Sequence, residues 1–178
     1  NELLPLIVPH SRKAHPWARK GGVVFHRGKY GIDRILTIKG FSLGLGLLNR
    51  DITILLPQSY DDPVRKDHRY PVLYAHDGQN LFFPQDNEWN KSWDMIGAVD
   101  KLVSSGGPEI IVVGIHNTAQ RMQDYAPEDS MVYQEDEEGR IIDREFYHGH
   151  GDLYLDGIVN NLIPFINNPT IMYQFHSC

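Results

Sequence analysis

Cysteine is almost missing from this chain: Cys178 is the only one. An intrachain disulfide and a cysteine-built zinc or iron–sulfur site each need several thiolates, so both are excluded. Nothing demands an oxidising compartment, and a cytoplasmic location is favoured. Long apolar runs are missing too. None approaches the roughly 18 residues that cross a bilayer, so a soluble protein is expected. Positive charge is in deficit, with 17 Lys and Arg against 23 Asp and Glu, a net −6. Such a field repels phosphate backbones and anionic lipid, so neither nucleic acid nor a membrane surface is an expected partner. No internal repeat of a solenoid kind is visible. The first residue is Asn1 rather than Met, and the apolar stretch Leu3 to Val8 is broken by Pro5, ends at Pro9 and has no basic segment before it, unlike a signal peptide. The expectation is a processed product or a piece of a longer reading frame.

What is present is ordinary globular composition: 178 residues, 41% hydrophobic and 22% charged. One domain of that length buries roughly 70% of its unfolded surface. Residues 1–22 carry Pro5, Pro9 and Pro16 among His10, Arg12 and Lys13 and read as an irregular lead-in. Val23 to His26, Arg34 to Lys39 and the β-branched Asp51 to Leu56 read as strands, the last ended by Pro57. Pro71 to Ala75 and Ile110 to Ile115 are nearly continuous apolar runs, the pattern of strands buried on both faces. Between them, Ser92 is placed to cap a helix to about Ser105, with Trp93, Ile96, Val99 and Leu102 at spacings of three and Gly106 past its end. Residues 120–150 are polar and acidic and read as a long loop. Tyr154 to Ile166 reads as an amphipathic helix through Leu155, Ile158 and Leu162. Strands alternating with helices predict an α/β fold: antiparallel-type strands at the amino-terminal side, then a mainly parallel sheet with flanking helices.

Three series of residues then line up in order: Arg50 to Pro57 with Tyr60-Asp61; Tyr70-Pro71-Val72-Leu73-Tyr74-Ala75-His76-Asp77-Gly78-Gln79-Asn80; and Arg121 with Asp124-Tyr125-Ala126-Pro127, followed by Tyr154-Leu155 through Leu162-Ile163-Pro164-Phe165-Ile166. Together they resemble the putative esterase family, the esterase D and enterochelin esterase type of α/β-hydrolase, from about Arg50 to Asn167. The resemblance implies an incomplete three-layer hydrolase sandwich over residues 23–168, followed by a divergent tail at 169–178. It also implies an ester hydrolase that forms an acyl-enzyme on a serine, needs no cofactor and acts on a small-molecule ester of unread identity. A strand ending in a tight Gly turn leaves backbone N–H groups pointing into a cleft, where they stabilise negative charge on an acyl oxygen. By the resemblance, Gly78 and Gln79 are the oxyanion donors, Asp77 and Asn80 fix the turn, and Arg121 contacts substrate. The bland readings are an Asp-Gly turn at a strand end and, for Arg121, pairing with one of the many nearby carboxylates, which is favoured.

The family's nucleophile is expected in a Gly-x-Ser-x-Gly elbow after the helix that ends near Ile166, and none follows there. The chain therefore reads as the amino-terminal part of a hydrolase, with its nucleophile and catalytic His missing. The alternative is a non-catalytic domain with a ligand-binding or assembly role. One elbow pattern exists, Gly40-Phe41-Ser42-Leu43-Gly44, but Gly44 and Gly46 are poor starts for the helix that an elbow needs, so a glycine-rich turn is the better reading. His148, His150 and Asp152 on a glycine-rich loop have part of the spacing of a zinc site, which makes a metal-dependent hydrolase a minor alternative. A loop with exposed histidines and Asp152 as a helix cap is preferred, so no metal is expected. His116 reads as a satisfied polar residue at a strand end. A parallel strand at Pro71 to Ala75 without an outer neighbour predicts self-association through its bare edge.

Overall fold

The computed structural model describes residues 24–127 and 129–168. The lead-in at residues 1–22 and the tail at 169–178 lie outside the described residues. A mixed sheet of five strands forms the centre, in the order β1-β2-β3-β5-β4. Strands β1 (Val24–Arg27), β2 (Ile35–Phe41) and β3 (Arg50–Leu55) follow one another antiparallel. Strand β5 (Ile111–Ile115) pairs antiparallel with β3 and parallel with β4 (Val72–His76). The described sheet is therefore mixed rather than mainly parallel, and β4–β5 is its parallel pair.

Alternation along the strands sends apolar side chains to two separate cores. Leu36, Ile38, Ile52, Ile54, Val113 and Ile115 face the closing helical segment and pack on its Tyr154, Ile158, Leu162 and Phe165. Ile35, Leu55 and Val112 point the other way, against Leu81, Phe82 and Val99 of helix α1 (Met95–Ser104). Helices thus cover both faces. Ile111–Ile115 is buried throughout, as its composition predicts. Strand β4 is not buried on both faces: Leu73 is 43% exposed. The reason is position, because β4 is the outermost described strand and has β5 as its one neighbour.

The helix expected from Ser92 starts later. Asp94 is its cap, accepting a hydrogen bond from the N–H of Gly97, while the Ser92 hydroxyl accepts from the N–H of Asp94. Trp93 consequently lies outside the helix and is exposed. The stretch expected as a polar loop holds two elements. Helix α2 (Arg121–Tyr125) precedes a hairpin of β6 (Ser130–Glu135) and β7 (Ile141–Tyr147). Its turn is fixed by the Asp136 carboxylate, which accepts from the N–H groups of Glu138 and Arg140. Acidic residues concealed an alternation in which Met131 faces Phe146 and Tyr133 faces Arg144.

The last helical segment runs through α3 (Gly151–Gly157), a wide π turn at Ile158–Leu162 and α4 (Ile163–Ile166). Pro164 has no N–H to return to the carbonyl four residues earlier, and the wide turn just before it is where the helical ladder adjusts. Asp152 sits inside the first turn rather than capping it, and His150 holds the cap position without a side-chain cap bond.

Candidate functional site

Parallel strands place their carboxyl ends together, the place where open α/β sheets bind ligands. Here β4 ends at His76 and β5 at Ile115, and the residues just beyond, Asp77 to Asn80 and His116 to Arg121, meet. Asp77 takes a left-handed backbone conformation, φ 52°, which costs a non-glycine residue roughly 1 kcal/mol or more. Its side chain is held from three directions. Arg121 donates from Nε at 2.9 Å and Nη2 at 2.8 Å, Asn117 donates from Nδ2 at 2.7 Å, and the Tyr125 hydroxyl donates at 3.2 Å. Hydrogen bonding to Arg121 is the largest reason that the Asp77 carboxyl is held below its usual range.

That clamp fixes the strained corner, and the corner fixes the turn. Asn80 donates its N–H to the Asp77 carbonyl at 2.8 Å and Leu81 donates to the Gly78 carbonyl at 3.3 Å. These bonds leave the N–H groups of Gly78 and Gln79 at the head of the turn without acceptors inside it. The Gln79 side chain accepts from the Asn117 N–H at 3.2 Å, which ties the turn to the end of β5. Gly78 is required by proximity. A Cβ there would stand 2.4 Å from the Gly114 carbonyl carbon, so any larger residue would push the turn off β5.

Each residue expected at this site therefore lies in one turn or on its clamp: Asp77, Gly78, Gln79 and Asn80 in the turn, Arg121 against Asp77. Arg121 does pair with a carboxylate, but with Asp77, 44 residues away, rather than with one of the acidic residues near it in sequence. Sequence reasoning missed Asn117 and the hydroxyl of Tyr125. It also missed the floor beneath them. Arg50 and Asp124, both without exposed side-chain surface, form an ion pair at 3.0 Å, and the Arg50 guanidinium lies 4.9 Å from the centre of the Tyr154 ring. Tyr154 in turn shares a hydrogen bond with His76 Nδ1 at 2.9 Å, and burial raises the pKa of its hydroxyl.

The other candidates lie apart from this turn. Ser42 is exposed just after β2, an antiparallel strand, and no helix follows it. Asn161 instead donates to the neighbouring Leu43 carbonyl at 2.6 Å and anchors that loop on the closing helical segment. His148 and His150 face different carboxylates: His148 Nδ1 is 3.2 Å from Asp129, and His150 Nδ1 is 3.7 Å from Asp124. Among the described residues no three or more His, Cys, Asp or Glu side chains gather as a metal site would need. His116 is a half-buried residue just past the end of β5, its Nε2 2.9 Å from the Thr53 hydroxyl. Among the described residues no helix is long and apolar enough to cross a membrane.

A family model described as Putative esterase matches residues 48–169, which include β3, the whole turn, its clamp and the closing helical segment. No curated protein matches the chain, and no solved structure does.

Proposed function

The chain belongs to the Putative esterase family, and from that premise we propose that the turn Asp77 to Asn80 is the oxyanion-stabilising element of a serine carboxylic-ester hydrolase. The observation that carries this reading is the pair of N–H groups at Gly78 and Gln79, held at the head of a strained turn by the Asp77–Arg121–Tyr125 clamp. Donors fixed before the reaction are worth most where charge develops on an acyl oxygen, because they need no reorganisation at that moment. Asn80 closes the turn from within. In this reading Arg121 acts by positioning Asp77 through Nε and Nη2, while its Nη1 lies 3.8 Å from the Met122 sulfur.

The fold is read as the amino-terminal part of an α/β-hydrolase sandwich within residues 23–168. No serine among the described residues stands on a strand-to-helix elbow, so the nucleophile and its histidine belong outside them. By themselves the described residues then provide the oxyanion side of an ester site without the acyl-enzyme step, which also suits a non-catalytic ligand-binding role.

Methylphosphonate, a tetrahedral anion like the intermediate of ester hydrolysis, tests the turn. In ¹H–¹⁵N spectra of the chain its addition is expected to shift the amides of Gly78 and Gln79 progressively. Unmoved Gly78 and Gln79 amides at tens of millimolar probe would remove the oxyanion reading.

The bare edge of β4 is read as a self-association surface. Val72 to Ala75 carry no charge to oppose a second copy, and unpaired backbone groups there form a template for strand pairing. Light scattering after size-exclusion chromatography is expected to show a mass above one chain at micromolar concentration, decreasing with Leu73→Lys. A sharp monomer peak would mean that the edge is covered.

A further inference from the structure

The opposite pole of the sheet, where β4 and β5 begin, holds a cavity of about 830 Å³ with a different chemistry. A strand of five residues rises about 16 Å, so this cavity is separated from the Asp77 turn by the length of β4. Its polar wall carries two arginines, Arg65 and Arg69, with the His68 imidazole and one carboxylate, Glu109. Its apolar wall is Pro71, Val103 and Pro108.

The charge of Glu109 is already engaged. It accepts from the N–H of Ser59 at 3.1 Å, from the Ser59 hydroxyl at 2.5 Å and from Arg65 Nη1 at 3.0 Å. The Ser59 hydroxyl is itself 2.9 Å from the Tyr70 hydroxyl, and the His68 ring stands edge-on to Tyr70 at 4.5 Å. This network fixes Arg65 on Glu109. Arg69, by contrast, lines the cavity, is exposed and makes no ion pair among the described residues. Among the lining residues two arginines meet one carboxylate, which leaves Arg69 to attract an anion in a chain of net charge −6. A planar guanidinium suits the two oxygens of a carboxylate or phosphate, and the volume falls within the range of about 300–1,000 Å³ usual for small-molecule sites.

We propose that this cavity is a second ligand site, for a small organic anion whose carboxylate or phosphate lies between Arg69 and His68 and whose apolar body lies against Pro71, Val103 and Pro108. It lies at the amino ends of the parallel strands, away from the pole where chemistry is placed, so it is a binding site and not a catalytic one. It does not depend on the oxyanion reading.

Phenyl phosphate and phenylacetate are the probes, with benzyl alcohol as the neutral control, each titrated into the ¹⁵N-labelled chain. Saturable shifts are expected at the amides of Ser59, Arg69, Gly107 and Glu109 with one or both anions and not with benzyl alcohol. The anion that binds more tightly identifies the headgroup. Arg69→Ala is expected to weaken that binding about fivefold or more. Arg69 is exposed on a loop, so its removal leaves the fold intact. Lys66→Ala, a neighbouring cation outside the cavity, is expected to change it less than about twofold, the effect of an exposed charge alone. Equal losses in the two variants would reduce the effect to general charge and overturn the site. So would equal binding of benzyl alcohol, or the absence of saturable shifts with both anions.

Discussion

Replacing Asp124 with Ala is expected to destabilise the chain by about 3–5 kcal/mol, enough to unfold a marginally stable domain. The carboxylate is the counter-charge of Arg50, and neither side chain has exposed surface. Removing it leaves a guanidinium in a low-dielectric interior, with the Tyr154 ring as a weak substitute at 4.9 Å. The Thr118 hydroxyl, 3.3 Å from the same carboxylate, loses its acceptor as well. Denaturation followed by circular dichroism measures the loss. A double change, Arg50→Met with Asp124→Leu, is expected to recover much of it, since removing both charges removes the uncompensated one. An Asp124→Ala variant that unfolds within a few degrees of the parent would mean that the pair does not hold β3 to α2.

The second large effect is one of pH. Burial lowers the pKa of His116 to about 4, against an ordinary value of 6.5. The unfolded chain therefore takes up its proton first as pH falls, and folding loses stability from about pH 6.5 down to about pH 4, with no further loss from this group below that. A gap of about 2.5 pH units at about 1.4 kcal/mol each amounts to about 3 kcal/mol. Asp51 and Asp86 favour the imidazolium, while Lys29 and Lys39 oppose it, and burial outweighs all four. His116→Gln retains a group able to bond the Thr53 hydroxyl and is expected to flatten the profile across that window. Asp77 titrates elsewhere. Its depressed pKa gives stability that is present above about pH 4 and lost at lower pH as the carboxyl is protonated, so the two contributions separate on the pH axis. An unchanged slope in His116→Gln would assign the acid sensitivity to other groups.

What the sequence revealed, and what it hid, follows from the range of each interaction. Ile110 to Ile115 is legible as a buried strand because β-branched residues at every position but Gly114 leave few alternatives. Pro71 to Ala75 is likewise a nearly continuous apolar run, yet lies half-open, because burial depends on a neighbour that a local pattern cannot supply. The helix start was displaced by two residues because Ser92 and Asp94 are equally good caps by composition. The hairpin was missed because its alternation is written in Met131, Tyr133, Arg144 and Phe146 among acidic residues, so composition spoke for a loop while period spoke for a strand. At the site, the Asp77-Gly78 turn is local and was visible. The Arg50–Asp124 pair joins residues 74 apart, and no spacing rule reaches that far.

In the proposed ester site the described residues supply oxyanion-type donors and no activated serine. Labelling with a fluorophosphonate, followed by peptide mass spectrometry, tests it most directly, because the reagent bonds covalently to a serine whose hydroxyl is activated by a base. No serine among the described residues is expected to be labelled beyond the level of the denatured control. Stoichiometric labelling of Ser42 that is lost on denaturation would contradict it and make Gly40 to Gly44 a working elbow.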